Sequence, residues 1–262
     1  MDFYQYTIAI VGSFFAGAIN TLAGNGSVIT LSLMTEMIGL PGNLANGTNR
    51  IGLFTQSVAG AFGFWQHGRL DFRRSWAFLI FTSIGAIIGA FVAVKVSNEQ
   101  FLSVFRFLMI FMLFVVLFKP ERWLRATDTT QQLPLWAIIP MFLALGFYGG
   151  FIQMGMGIFF VVVMVFTARY SLVDSNAIKV TIVSLYTIIV ILIFQLQGLI
   201  DWKTGVLMAV GQTVGGYVTA VYASKNANAA RWAHRILVTA IVLSVVKMYN
   251  LHEWALEMVA GH

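Results

Sequence analysis

No cysteine occurs in this 262-residue chain, which excludes a disulfide framework and any thiolate metal site. Charge is nearly as scarce. Asp, Glu, Lys and Arg make up 10% of the residues against 59% hydrophobic, where an ordinary soluble domain carries roughly 25% charged residues. That imbalance specifies a membrane protein. The opening MDFYQYTI has no positively charged stretch, and no small-residue cleavage pattern follows as far as Met37, so no removable signal peptide is expected. Enzyme signatures are missing too. There is no HExxH, GxSxG or Walker A sequence, and the histidines stand on distant elements, so neither an enzyme nor a metal or other cofactor is expected. A net charge of +6 would suggest nucleic acid as the partner of a soluble protein. Here the positive residues collect in short loops between oily runs, so the expected partner is the lipid bilayer and not nucleic acid.

Ten oily segments fill most of the chain, at 3–22, 28–38, 44–65, 76–94, 101–118, 134–150, 157–168, 176–195, 205–223 and 236–249. Crossing a hydrocarbon core takes about 20 helical residues, so 28–38 and 157–168 are too short to span alone. Eight to ten crossings are expected, and the fold class is all-α and polytopic. Three loops hold three Lys or Arg residues each: Arg69, Arg73 and Arg74; Lys119, Arg122 and Arg125; Lys225, Arg231 and Arg235. The positive-inside rule assigns all three to the cytoplasmic side. One helix separates the last of them from the loop at 198–203, which falls outside. Tyr4, Tyr6, Trp65, Trp76, Trp123, Trp136, Trp202 and Trp232 lie close to the proposed interfaces, as aromatic belts do.

The chain repeats itself. GRLDFRRSW from Gly68 matches GLIDWKTGV from Gly198, aligning Asp71 with Asp201, Phe72 with Trp202 and Arg73 with Lys203, and Gly85 matches Gly215 at the same spacing of 130. Upstream, Gly24 and Gly26 correspond to Gly155 and Gly157 at a spacing of 131, and Asn46 corresponds to Asn176 at 130. Since the loop after Gly68 reads as inside and its counterpart after Gly198 as outside, the two halves are expected to be inverted, as in many secondary transporters. Residues 1–125 then form the first transmembrane repeat and 134–250 the second, within a single transport domain. A short tail, 251–262, is expected to lie along the surface.

Polar clusters interrupt the oily runs at matching places. NTLAGNGSVIT, residues 20–30, puts Asn20, Thr21, Gly24, Asn25, Gly26 and Ser27 where a membrane helix would carry leucines. A helix broken at membrane depth leaves amides and carbonyls that cost several kcal/mol each unless protein or a polar cavity satisfies them. Glycines permit the turn, while the amide and hydroxyl side chains can bond the freed groups or cap the restarted helix. The second half has GFYGGFIQMGMGIFF, residues 146–160, with Gln153 as its main polar side chain. Amides at a helix start form an anion site without a net cation; GxxxG-like spacings such as Gly146 to Gly150 also serve helix packing. LANGTNRIG and VDSNAIKVT each open a long apolar helix. Asn46 and Asn176 fit N-cap chemistry, with Asp174 or Ser175 as alternatives, and Arg50 and Lys179 either snorkel to an interface or complete an anion pocket with Asn49. Arg offers a fork to paired oxygens, Lys a point charge.

The core NTLAGNGS with the following ANGTNR, and YGGFIQMGMGIFF followed by NAIKV, resemble the sulfite exporter TauE/SafE family, over essentially the whole chain. The resemblance implies an inner-membrane transporter of sulfite, thiosulfate or organosulfonates built from two inverted repeats. It implies as motif residues Asn20, Gly24, Gly26, Asn46, Asn49 and Arg50, then Gly149, Gln153, Gly155, Gly157, Asn176 and Lys179. Asn25 stands where many relatives have glycine, adding a side chain near the pocket. The anion would rest between the interrupted helices while one half rocks against the other. Uptake would require coupling to protons or sodium, and Glu36 and Asp174 are the carboxylates closest to the oily elements. An anion channel and a membrane scaffold for sulfur metabolism are the alternatives.

Overall fold

The computed structural model of the protein describes residues 3–69, 72–117 and 134–226, with Thr239 and Val242. Asp71, the loop with Lys119, Arg122, Trp123 and Arg125, then Arg231, Trp232 and Arg235, most of segment 236–249 and the tail 251–262 lie outside the described residues. Nine helices make up the described chain: α1 Phe3–Ala23, α2 Gly26–Ser32, α3 Gly42–Gln66, α4 Phe72–Ala93, α5 Asn98–Leu117, α6 Leu135–Phe151, α7 Met156–Phe166, α8 Leu172–Leu196 and α9 Trp202–Lys225. A wider π-helical turn at Leu33–Met37 prolongs α2.

Among the described residues four stretches are long and apolar enough to cross a membrane by length and composition: Tyr6–Ala23, Ser75–Ala93, Leu172–Leu196 and Trp202–Lys225. The expected eight to ten crossings include α3, which those criteria leave out. It has 25 residues but carries Asn46, Thr48, Asn49, Arg50, Gln56 and Ser57, all buried inside the protein. α2 and α7 stop short, as their length requires. The outer faces fit lipid. Ile80, Ile84, Ile88 and Phe91 on α4 and Val206, Val210, Val214 and Val218 on α9 are exposed along one stripe each, since residues about four apart share a helix face. Trp65, Trp76, Trp136 and Trp202 are also exposed, near helix ends.

Element boundaries recur at the spacing already read in the motifs. α2 and α7 begin at Gly26 and Met156, α3 and α8 at Gly42 and Leu172, α4 and α9 at Phe72 and Trp202; α3 and α8 end at Gln66 and Leu196. Each pair is 130 residues apart. Packing follows the same pairing, because α1 lies along α9 while α6, its counterpart, lies along α4. Close approach there depends on small residues. A Cβ on Gly146 would fall 2.0 Å from the Thr82 carbonyl oxygen and one on Gly150 1.9 Å from that of Ala86, while Gly85 and Gly89 meet the carbonyls of Leu143 and Phe147 in return. The four glycines let α4 and α6 interlock through their backbones, the packing role that small-xxx-small spacings have in membranes. At the centre, α3 and α8 run antiparallel. Gly47 abuts Phe194 at one end of their contact and Gly60 faces Val180 at the other.

Candidate functional site

Two broken helices meet at the middle of the molecule. α1 ends at Ala23, Gly24 turns with φ +72°, and α2 restarts at Gly26. α6 ends at Phe151, Gln153 and Gly155 turn with φ of 62° and 74°, and α7 restarts at Met156. The breaks touch backbone to backbone. The Gly157 amide donates to the Gly24 carbonyl at 3.2 Å, and a Cβ on Gly24 would lie 2.3 Å from the Gly157 Cα. Only two glycines allow that crossing.

The ends of α1 and α6 leave orphan carbonyls at membrane depth. Each is held by the long helix of the opposite half. From α3, Arg50 donates through Nη1 to the Gly149 carbonyl at 2.7 Å and through Nη2 to that of Gly150 at 2.9 Å, with further bonds to Asn46 Oδ1 at 3.2 Å and Gln153 Oε1 at 3.5 Å. Its guanidinium also lies 5.5 Å from the centre of the Phe194 ring, within cation–π range. From α8, Lys179 Nζ donates to the carbonyls of Asn20 at 2.8 Å and Thr21 at 3.1 Å and to Asn176 Oδ1 at 2.7 Å. Lys179 Nζ thus meets three acceptors, as many as an ammonium has N–H groups. The asparagines complete the clamps: Asn46 Nδ2 donates to the Phe151 carbonyl at 2.9 Å and Asn176 Nδ2 to that of Leu22 at 3.0 Å.

Both cations are buried, at 0% and 3% exposure. Neither snorkels. Among the described residues no Asp or Glu is buried, and the one ion pair, Arg69 with Asp174 at 3.8 Å, is peripheral. Only neutral oxygens face the two charges, aided by the negative ends of α1 and α6, worth about half a charge each. Among the described residues no carboxylate offsets these two basic side chains.

Other predicted residues fall into two groups. One serves the breaks: Asn20 Nδ2 donates to Gln56 Oε1 at 3.0 Å, Gln56 Nε2 to Thr21 Oγ1 at 3.3 Å, and Thr21 Oγ1 to the Gly17 carbonyl at 3.0 Å. The other ties α2 to α3, where Asn49 Oδ1 accepts from Thr30 Oγ1 at 2.7 Å and Asn49 Nδ2 donates to Ser27 Oγ at 3.3 Å. Asn25 belongs to neither. It is fully buried at the start of α2, and neither its Nδ2 nor its Oδ1 has a hydrogen-bond partner among the described residues.

Three expectations change. Asn46 and Asn176 are not N-caps, because α3 begins at Pro41–Gly42 and Ser171 caps α8 by accepting from the Asp174 amide, leaving both asparagines a turn inside. Asn25 occupies the cap position of α2 without making a cap bond. The first amides of α7 are not free, since Met156 donates to Gln153, Gly157 to Gly24, and Ile158 and Phe159 to Gly155. Sequence reasoning also missed Gln56 and Tyr186, whose hydroxyl donates to Gln153 Oε1 at 2.7 Å. They are repeat mates at the spacing of 130, a signal that was there to be used.

A family model described as sulfite exporter TauE/SafE matches residues 9–248. Relatives are similar along most of their length. A probable membrane transporter protein ORF9 of Sinorhizobium sp is 26% identical, covering 100% of this chain and 99% of that protein. One from Haemophilus influenzae is 26% identical over 77% of this chain and 78% of its own, and YfcA of Escherichia coli, also a probable membrane transporter protein, is 23% identical over 90% and 87%. No solved structure matches.

Proposed function

This chain belongs to the sulfite exporter TauE/SafE family, a membrane transporter and not an enzyme, and we propose that it carries a small sulfur-containing anion (sulfite, thiosulfate or an organosulfonate) by alternating access between two inverted halves. One observation carries the choice of an anion: Arg50 and Lys179 are buried near the crossing of the two breaks with no carboxylate beside them among the described residues. A charge so placed is costly unless compensated, and a bound anion compensates two at once. Asn25, with both amide atoms unpartnered, supplies a neutral hydrogen-bonding group at the same break. In this reading Asn20, Thr21, Asn46, Asn49, Asn176 and Gln153 shape the site by fixing the broken ends, while Gly24, Gly26, Gly155 and Gly157 let those ends approach.

Inversion is supported by the antiparallel pairing of α3 with its mate α8 and by the exchange of partners between α1–α9 and α4–α6. The energetics favour export. A negative cell interior drives a monoanion outward by roughly 2.3 kcal/mol per 100 mV, so the chain would act in the inner membrane without a coupled ion. Uptake would need proton or sodium coupling, and the carboxylates considered for it lie elsewhere: Glu36 is exposed and Asp174 pairs with Arg69. Counterflow of radiolabelled sulfite into proteoliposomes preloaded with unlabelled sulfite, thiosulfate or a sulfonate tests the reading. Saturable accumulation with all three, and none with a carboxylate inside, is expected. A non-saturating flux would establish a channel, and no flux would remove the cargo assignment.

A further inference from the structure

Ser57 on α3 and Thr187 on α8 are repeat mates at the spacing of 130. Both are buried, at 1% and 0% exposure, and neither hydroxyl has a hydrogen-bond partner among the described residues. Ser32, Thr82 and Ser175 share that property, but only Ser57 and Thr187 are hydroxyls paired by the repeat. Hydroxyls in apolar helices ordinarily turn back onto the carbonyl three or four residues earlier, as Thr21, Thr35, Thr55, Thr181, Ser184 and Thr213 do here. An unsatisfied hydroxyl in a dry interior costs free energy, and this chain keeps one at the same place in both halves.

Their position is specific. Ser57 follows Asn46, and Thr187 follows Asn176, by eleven residues, about three helical turns. Each hydroxyl therefore stands on the face of its helix that clamps the opposite broken end. The antiparallel contact of α3 with α8, fixed by Arg50 near Phe194 and by Gly60 near Val180, brings Ser57 level with the turn of α8 that contains Thr187. Arg50 lies seven residues to one side along α3, on the same face as Ser57, and Lys179 eight residues to the other side along α8. Two neutral donors thus sit between two buried cations that lack a counter-charge.

We propose that Ser57 and Thr187 form a hydroxyl subsite that hydrogen-bonds the oxygens of the transported anion at the junction of the two halves. It rests on the anion-carrier reading above and assigns that site its contact groups. Neutral donors suit a carrier, because the anion is attracted by Arg50 and Lys179 without being gripped by either, whose N–H groups are largely committed to the broken helices. Two hydroxyls related by the repeat also offer the anion equivalent contacts from both sides of the membrane.

Sulfite counterflow with Ser57→Ala, Thr187→Val and the double variant tests the assignment. Each single change is expected to raise KM about tenfold, a typical loss for a hydrogen bond to a charged group, and the double variant more. Ser57→Thr should restore binding. Thermal stability should stay equal or rise, because an unpartnered buried hydroxyl is removed; a merely structural role predicts the reverse. An unchanged KM in the folded double variant would overturn the subsite while leaving the carrier intact. Absence of counterflow in the wild type would overturn both.

Discussion

Arg50→Leu is expected to lower the melting temperature of the purified protein by on the order of 10 °C and to abolish transport. The substitution strips partners from the carbonyls of Gly149 and Gly150, from Asn46 Oδ1 and from Gln153 Oε1. Unsatisfied buried acceptors cost about 1–3 kcal/mol each. Gln153 keeps its bond from Tyr186, so the losses concentrate on the end of α6. A total near 3 kcal/mol or more corresponds to such a shift in a chain of this size. Arg50→Lys separates charge from fork geometry. An ammonium keeps the positive field but cannot bond two successive carbonyls through a rigid plane, so part of the stability should return. Lys179→Met should resemble Arg50→Leu, because it orphans the Asn20 and Thr21 carbonyls at the end of α1. If both neutral variants melt like the wild type, the clamps are not holding the breaks.

The second large effect is expected at the crossing. Gly24→Ala should leave little folded protein in the membrane, and Gly157→Val none. At Gly24 two penalties coincide: φ is +72°, a region that costs a side-chain-bearing residue roughly 1–2 kcal/mol, and the new Cβ would lie 2.3 Å from the backbone of Gly157. Backbone cannot swing aside as a side-chain tip can. At Gly157 the partner is the Gly24 Cα, also at 2.3 Å, and the amide bond to the Gly24 carbonyl would be lost with it. The solvent-exposed Gly39, with φ +79° but nothing within 4 Å of its Cβ position, is the control. Gly39→Ala should cost only the backbone strain. Comparable yields for Gly24→Ala and Gly39→Ala would mean that the two breaks do not touch.

The broad plan was legible because it is local. Hydropathy marked the helices, glycines with amides and hydroxyls marked both breaks, and Asn46 with Asn176 fixed the repeat to the residue. What could not be read was which group each polar residue serves. Arg50 lies about a hundred residues from the carbonyls it holds, and nothing near position 50 signals that the end of α6 will arrive there. For the same reason Asn46 and Asn176 resembled caps, since an asparagine early in a helix has the same sequence signature whether it bonds its own helix or another. Apolarity alone undervalues a helix such as α3, whose polar face is turned inward. Asn25 was identified as an intruding side chain, but its lack of partners is a property of the packed interior alone.

Everything proposed depends on the halves being inverted copies whose breaks meet in the membrane. The absence of cysteine allows a direct test with single reporters at the corresponding ends of the mated helices: Gln66→Cys at the end of α3 and Gln197→Cys just after α8, both exposed in the structure. A membrane-impermeant maleimide applied to intact cells should label Gln197→Cys and leave Gln66→Cys unmodified, and inside-out vesicles should give the opposite pattern. Labelling of both positions from the same side would contradict the inversion, and with it the meeting of two oppositely oriented breaks around a shared anion.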